Sequence, residues 1–170
     1  IQAGLAITLA GAGRYEEAKA PMAAAVALWT ERNFARNWQA NLHLALREYA
    51  AARELARSAL QRDPADLFAA SVLVDAQLLG FGDIDGARKT LQALPLRTTE
   101  SSTVAQLAAR VEAWARDYAA ARSLVEQATA GSVMFGGNYS RGLELAPILQ
   151  ALGDTGAARA AYAQARDELR

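Results

Sequence analysis

The segment Leu44–Pro64, LALREYAAARELARSALQRDP, gives the clearest indication of the fold. Alanine and charged residues that favour helices dominate it. It is therefore predicted to hold the end of one helix, a tight turn, and a second helix that stops at the proline. Within it, Tyr49 is followed by Ala52 three residues later and by Ala59 after seven more. This local pattern is informative about the fold because it recurs along the chain.

The same turn occurs five times at nearly constant spacing. A tyrosine, isoleucine or threonine is followed three residues later by an alanine, at Tyr15 and Ala18, Tyr49 and Ala52, Ile84 and Ala87, Tyr118 and Ala121, and Thr155 and Ala158. Successive turn residues are 34, 35, 34 and 37 residues apart. A second small residue lies seven positions beyond the first alanine in four copies, at Ala25, Ala59, Ala128 and Ala165, with Leu94 in the remaining copy. A period held through five copies predicts a helical-repeat protein.

The turn residue and the alanine are expected to have the same structural roles in every copy. The turn residue fills the gap between two helices, and the alanine permits their close approach. One such pair cannot bury its apolar face alone, so neighbouring pairs must stack and share a core.

Five helix pairs follow from this period. Their predicted bounds are about 1–12 and 14–31, 34–46 and 48–62, 66–80 and 83–94, 101–115 and 117–130, and 141–152 and 154–169. As repeats of a single domain over 1–170, they cover about 1–32, 33–65, 66–98, 99–135 and 136–170.

Three places depart from regularity. The third turn, Gly80-Phe81-Gly82, is one residue longer than the others. Gly131–Gly142 has four glycines and is predicted to be a longer loop. Pro147 falls where the ninth helix should run, so that helix either starts there or is kinked, and we favour the kink.

Composition excludes several classes of function. Eighteen basic residues balance eighteen acidic ones, so the basic excess typical of nucleic-acid binders is missing. The chain has no cysteine and one histidine, His43, so we expect no metal site, no cofactor and no catalysis. No apolar run is long enough to cross a bilayer, and we expect a cytoplasmic protein. Because the chain begins at Ile1 and not at methionine, we expect a piece of a longer protein.

The repeat resembles the tetratricopeptide repeat family, whose period is 34 residues. The resemblance rests on the glycine-containing turns at 13–15, 82–84 and 153–155, on the alanines that follow them, and on Asp63-Pro64. Two features depart from the family: most first helices lack its large aromatic residue, and the terminal proline is clear only at Pro64 and, shifted, at Pro95. The resemblance implies an all-α fold, a right-handed α-solenoid of about five antiparallel helix pairs. It also implies a non-catalytic scaffold that binds a protein or peptide in a concave groove.

In this family the first helix of each pair lines the groove. Residues at i, i+3, i+4 and i+7 share one helix face, which predicts a partner-binding set of Phe34, Asn37, Trp38, Asn41, Asp75, Gln106, Arg110 and Trp114. On the third pair the one-residue shift leaves Ala76 as the alternative to Asp75. Asparagine and glutamine can pair with a peptide backbone, and Trp and Arg are common anchors. Trp38 and Trp114 fit a core position equally well. Some family members hold a terminal carboxylate with Lys and Arg, but this chain has Asn37, Asn41, Thr103 and Leu107 at the nearest positions.

Three further interpretations stay open at this point. The repeat style of the last copy, residues 152–162, is similar to C-terminal regulatory regions of large bacterial signalling or transcription-regulatory proteins. An RNA-reading helical repeat is disfavoured by the balanced charge. Exposed repeat ends could pair two copies of the chain as a homodimer.

Overall fold

The sequence period corresponds to pairs of helices joined by tight turns. The computed structural model describes residues 1–28, 33–95, 102–128, 133–134, 137–138 and 140–168, which form ten helices and one short strand pair. Their contacts divide the chain into two compact units, Ile1–Ala93 and Leu94–Arg170. The all-α class predicted from the sequence is confirmed, and the single domain over 1–170 stays a prediction.

Three helix pairs form the first unit. They are α1 (Gln2–Gly11) with α2 (Tyr15–Leu28), α3 (Asn33–Ala45) with α4 (Tyr49–Arg62), and α5 (Leu67–Phe81) with α6 (Ile84–Gln92). The second helix of one pair packs against the first helix of the next, α2 on α3 and α4 on α5. The pairs therefore stack in chain order, as a repeat protein requires.

The second unit contains two helix pairs and a small hairpin. Its elements are α7 (Ser102–Trp114), α8 (Tyr118–Gln127), β1 (Val133–Met134), β2 (Gly137–Asn138), α9 (Arg141–Ala151) and α10 (Thr155–Glu168). The two strands are antiparallel, with Val133 opposite Asn138. They lie inside the glycine-rich segment predicted as a longer loop, of which residues 131–132, 135–136 and 139 are outside the described part.

The predicted helix bounds agree with the structure to within two residues at every described end except one. Helix α8 ends at Gln127, because Ala128 has an extended backbone and a buried side chain. The predicted end near residue 130 is therefore wrong. The predicted ends at 31 and 169 and the predicted start at 101 lie outside the described residues.

Proline does not start the ninth helix. Helix α9 begins at Arg141 and runs through Pro147, so the alternative that it starts at Pro147 is wrong. Helix α2 likewise continues through Pro21. A proline inside a helix removes one backbone hydrogen bond, and stacking against the neighbouring helices compensates for its loss.

One turn position has a left-handed backbone in all five copies. Its φ is 75° at Gly13, 61° at Arg47, 61° at Gly82, 62° at Arg116 and 82° at Gly153. In four copies the next residue's amide donates to the carbonyl five residues earlier, which closes the first helix of the pair. In the third copy this bond runs from Asp83 to the carbonyl of Gln77, six residues back. Only two residues, 82–83, separate α5 from α6, against three in the other pairs, because Gly80 and Phe81 extend α5. The predicted longer turn is therefore wrong, and the extra residue lengthens the helix.

Replacing Arg116 by glycine is expected to raise the free energy of unfolding by up to about 1 kcal/mol. A left-handed backbone strains an arginine, whereas glycine adopts it freely. Part of this gain in stability is lost, because glycine loses more chain entropy on folding. Gly153→Ala at the matching turn should lower the free energy of unfolding by about 1 kcal/mol. Urea unfolding measures both, and Arg159→Gly inside α10 is the control, expected to cost about 1 kcal/mol. An Arg116→Gly variant as unstable as that control would contradict the assignment.

The repeated alanines are the close-approach points of each pair. All five, Ala18, Ala52, Ala87, Ala121 and Ala158, are buried. Around them lie the core clusters, such as Ala40, Ala52, Ala56, Val72, Leu73 and Ala76 in the first unit and Ala109, Ala121, Val125 and Ile148 in the second. These contacts confirm the interpretation that the repeat motif is structural.

Candidate binding groove

The first helices of the second unit enclose a groove. It lies between α7 and α9, has a volume of about 410 Å³, and is lined by Ala109, Arg110, Ala113, Tyr118, Leu143, Glu144, Pro147, Ile148 and Ala151. That volume falls within the range of about 300–1,000 Å³ that is usual for ligand pockets. Three alanines along the walls leave the space open, because a larger side chain at any of them would project into it.

The groove is mainly apolar and has one pair of opposite charges. Arg110 Nη2 on α7 lies 3.8 Å from Glu144 Oε1 on α9, and both side chains are about a quarter exposed. Leu143 is 47% exposed and Trp114, one turn beyond Arg110, is 44% exposed. Exposed apolar side chains beside a charged pair are the composition expected of a protein-binding surface.

The three predicted residues of the second unit have different positions. Arg110 lines the groove, and Trp114 lies next to it with much of its ring in solvent. Gln106 is fully buried, and its side-chain oxygen and nitrogen both lack a hydrogen-bond partner in the described part of the chain. Of these three residues, only Arg110 and Trp114 can contact a partner without a change in side-chain position.

The other wall of the groove is formed by residues outside the predicted set, although the sequence contains a signal for it. The last two turn residues are 37 residues apart. Adding that step to Gln106, Arg110 and Trp114 gives Leu143, Pro147 and Ala151, all of which line the groove. The apolar character of these residues concealed the correspondence, because the predicted set was chosen for polar and aromatic side chains.

Aromatic residues of the first unit form a partly exposed cluster. Trp38 meets Phe34 edge-to-face at 6.4 Å and Phe68 at 5.4 Å between ring centroids. Trp38 also packs against the core around Met22 and Leu42. Of the two interpretations left open at Trp38, this packing favours the core, while Phe34 remains about half exposed.

Asn37 is part of the packing and not of an open surface. It is 4% exposed, and its Nδ2 donates to Asp66 Oδ2 at 2.7 Å. The prediction that its side chain faces a partner conflicts with this burial, because the hydrogen bond holds the amide between α3 and the start of α5. Asn41 and Asp75, the other polar members of the predicted set in this unit, are half-buried.

The only histidine stabilises a turn. His43 Nδ1 contacts Glu48 Oε2, and Lys19 Nζ lies 2.7 Å from the other oxygen of the same carboxylate. These contacts, the lysine's first, hold the pKa of Glu48 below its ordinary value. The cluster ties α2 to the turn between α3 and α4.

Two further findings on the described residues concern metal binding and membrane crossing. In those residues no group of three or more His, Cys, Asp or Glu side chains is placed to hold a metal ion. In the same part of the chain, no helix has both the length and the apolar character needed to cross a bilayer.

Comparison with known proteins identifies the repeat. The sequence profile of the tetratricopeptide repeat family matches residues 43–111. No curated protein matches the chain by sequence. Domains of this family generally act as non-catalytic scaffolds for protein–protein interaction.

Solved structures extend the match in fold to nearly the whole chain. A thermophilic tetratricopeptide-repeat protein of Thermus thermophilus is similar with a TM-score of 0.84 at 22% identity, over 98% of this chain and 89% of that one. PilF of Pseudomonas aeruginosa gives 0.72 at 20% identity, over 98% and 74%. A tetratricopeptide-repeat protein of Parabacteroides merdae gives 0.73 at 14% identity, over 94% and 61%. Residues 43–111 therefore match the tetratricopeptide repeat family, and the chain shares the helical-repeat fold of these proteins.

Proposed function

We propose that the chain is a scaffold that binds a segment of a partner protein in the groove between α7 and α9, without catalysing a reaction. The observation that carries the proposal is the groove itself, an apolar channel of about 410 Å³ with exposed Leu143 on one wall. The balanced charge of the chain supports a protein partner over a nucleic acid.

The groove has the parts that protein-binding sites usually need. Leu143 and Ile148 offer apolar contact, and burial of an apolar partner side chain there supplies the main driving force. Trp114 and Arg110 belong to the residue types that dominate binding energy at interfaces. The opposite charges of Arg110 and Glu144 can select a partner with a complementary polar pattern.

The first unit supplies a second surface that we include in the proposal. Four members of the predicted set are not fully buried there: Phe34, Trp38, Asn41 and Asp75. The ring of Phe34 is held edge-to-face against Trp38, so an apolar side chain could add to it without rearranging the core.

Replacing Leu143 by glutamate is expected to weaken peptide binding at least about tenfold, because a charge in the apolar wall must be desolvated by the partner. The probe is a set of peptides selected from a displayed random library on the unmodified chain, with affinities measured by fluorescence anisotropy. Leu5→Glu is the matched control: Leu5 is 48% exposed, also lies on a first helix, and is outside the groove.

The two variants separate binding from general surface effects. Leu143→Glu should lose affinity and keep its melting temperature, while Leu5→Glu should keep both. Equal affinities for the two variants would place the binding surface elsewhere. A library that yields no peptide above an unrelated helical protein would contradict the proposed function as a whole.

A further inference from the structure

Resting on the proposed function, we infer that Pro147 leaves the main-chain carbonyl of Leu143 as a hydrogen-bond acceptor in the groove. We further infer that this acceptor selects a partner side chain with an aromatic ring and a donor at its tip, tyrosine or tryptophan. In an α-helix, the N–H of each residue donates to the carbonyl four residues earlier. Pro147 lies inside α9 and has no N–H. The carbonyl of Leu143 therefore receives no hydrogen bond from position 147.

This carbonyl lies on the face of α9 that lines the groove. Residues four apart share a helix face, and Leu143 and Pro147 both line the groove. The hydrogen bond that the proline removes would run between these two residues, along that face. Both residues are exposed, so a partner in the groove can approach the carbonyl between them.

A partner that fills the groove displaces water from the carbonyl of Leu143. A backbone carbonyl that is buried without a donor is unfavourable by about as much as a lost hydrogen bond. A partner side chain with a donor at that level supplies the bond, whereas a purely apolar side chain leaves the carbonyl unpaired. The groove therefore distinguishes side chains that share the same apolar surface and differ in one donor.

The other residues of the groove determine which kind of side chain carries the donor. The walls are mainly apolar, and the volume of about 410 Å³ admits a large side chain. Arg110 and Glu144 already balance each other's charge, so an added ammonium would be desolvated without a counter-charge of its own. Tyrosine and tryptophan combine a large apolar ring with one O–H or N–H that needs a partner when buried. We therefore expect one of these two residues to anchor the partner in the groove.

Pro21 provides an internal control for Pro147. It lies inside α2, and by the same rule it removes the helical hydrogen bond to the carbonyl of Glu17. Helix α2 is the second helix of its pair and belongs to the first unit, whereas the groove belongs to the second. Replacing either proline by alanine restores a helical N–H and is expected to raise the melting temperature. Only the change at Pro147 should alter the binding of a partner.

The test measures two peptides against three forms of the chain by fluorescence anisotropy. One peptide is a library-selected binder, and the other has an anchor without the donor, phenylalanine for tyrosine or benzothienylalanine for tryptophan. On the unmodified chain, loss of the donor should weaken binding at least about tenfold. On Pro147→Ala the two peptides should bind equally, because the new N–H at that position pairs with the carbonyl of Leu143. On Pro21→Ala the difference of about tenfold should persist.

The comparison between the two peptides isolates the hydrogen bond from the apolar contact that the ring of Pro147 makes. Loss of that ring weakens both peptides equally, so it does not change their ratio. A donor effect of the same size in Pro147→Ala and in the unmodified chain would overturn the inference, because the donor would then have another acceptor. Selected peptides whose affinity does not depend on an aromatic donor would overturn it as well. If no selected peptide binds the unmodified chain, the proposed function itself fails, which is a different result.

Discussion

Replacing Asp66 by alanine is expected to lower the free energy of unfolding by about 2–4 kcal/mol. Asp66 precedes α5, and its Oδ1 accepts from the backbone N–H of Ala69 at 3.0 Å, so it caps that helix. Its Oδ2 accepts from Nδ2 of Asn37 at 2.7 Å and from Nδ2 of Asn33 at 3.3 Å. One carboxylate therefore starts the third helix pair and binds it to the second.

The loss of unfolding free energy expected for Asp66→Ala has two parts. Loss of a helix cap costs about 0.5–2 kcal/mol. The buried amide of Asn37 would also lose the carboxylate to which it donates, and a buried donor left unsatisfied costs about 1–3 kcal/mol. Chemical denaturation followed by circular dichroism measures the sum.

Asp66→Asn is the matched control. It keeps an oxygen for the cap and places an amide where Oδ2 was. Since Asn37 Oδ1 lacks a partner in the described residues, that side chain can rotate and accept from the new amide. We expect Asp66→Asn to lower the free energy of unfolding by about 1 kcal/mol, well below the loss expected for Asp66→Ala. If both variants lose the same stability, the carboxylate does not join the repeats in this way.

Replacing Gly142 by alanine is expected to lower the free energy of unfolding by about 1–3 kcal/mol. A Cβ at this position would lie 2.4 Å from the carbonyl oxygen of Ala161 and 3.1 Å from Cβ of Ala165. Both obstacles belong to α10, and the nearer one is backbone, which cannot move aside without shifting that helix. Gly142 therefore sets the distance between α9 and α10.

Gly4→Ala is the control for this substitution. Gly4 also lies near the start of a first helix, and a Cβ there would meet nothing within 4 Å. In that variant the free energy of unfolding should rise by about 0.5–1 kcal/mol, because alanine loses less backbone entropy on folding than glycine does. Thermal melts of the two variants should shift in opposite directions. Shifts of the same sign would mean that the helices can separate at Gly142 without cost.

Much of the fold was predictable because its signals are local and periodic. A turn residue with an alanine three positions later, repeated five times, located ten helices to within one or two residues at nearly all described ends. The extra residue of the third copy was predictable from the 35-residue step, but it lengthens α5 and not the turn. The left-handed backbone at Arg47 and Arg116 was less visible, because only the alignment with Gly13, Gly82 and Gly153 reveals it.

The candidate groove was predictable only in part. A helix face can be derived from spacing alone, and Arg110 was placed correctly on the groove-lining face of α7. The opposite wall needed the step of 37 residues between the last two copies, and its apolar residues gave no chemical signal of their own. Leu143 and Pro147 were therefore absent from the predicted set, although the 37-residue step gives them the positions that match Gln106 and Arg110.

The period, the helix pairs, the close-approach alanines and the resemblance to tetratricopeptide repeats follow from the sequence, since each depends on residues near one another in the chain. The roles of the polar residues on the predicted face depend on tertiary contacts. Asn37 became a buried donor to Asp66, Gln106 was buried without a partner among the described residues, and Trp114 stayed exposed. The physical reason is that burial and hydrogen bonding depend on what the neighbouring repeat places opposite each side chain, and helical spacing specifies only the direction in which that side chain points.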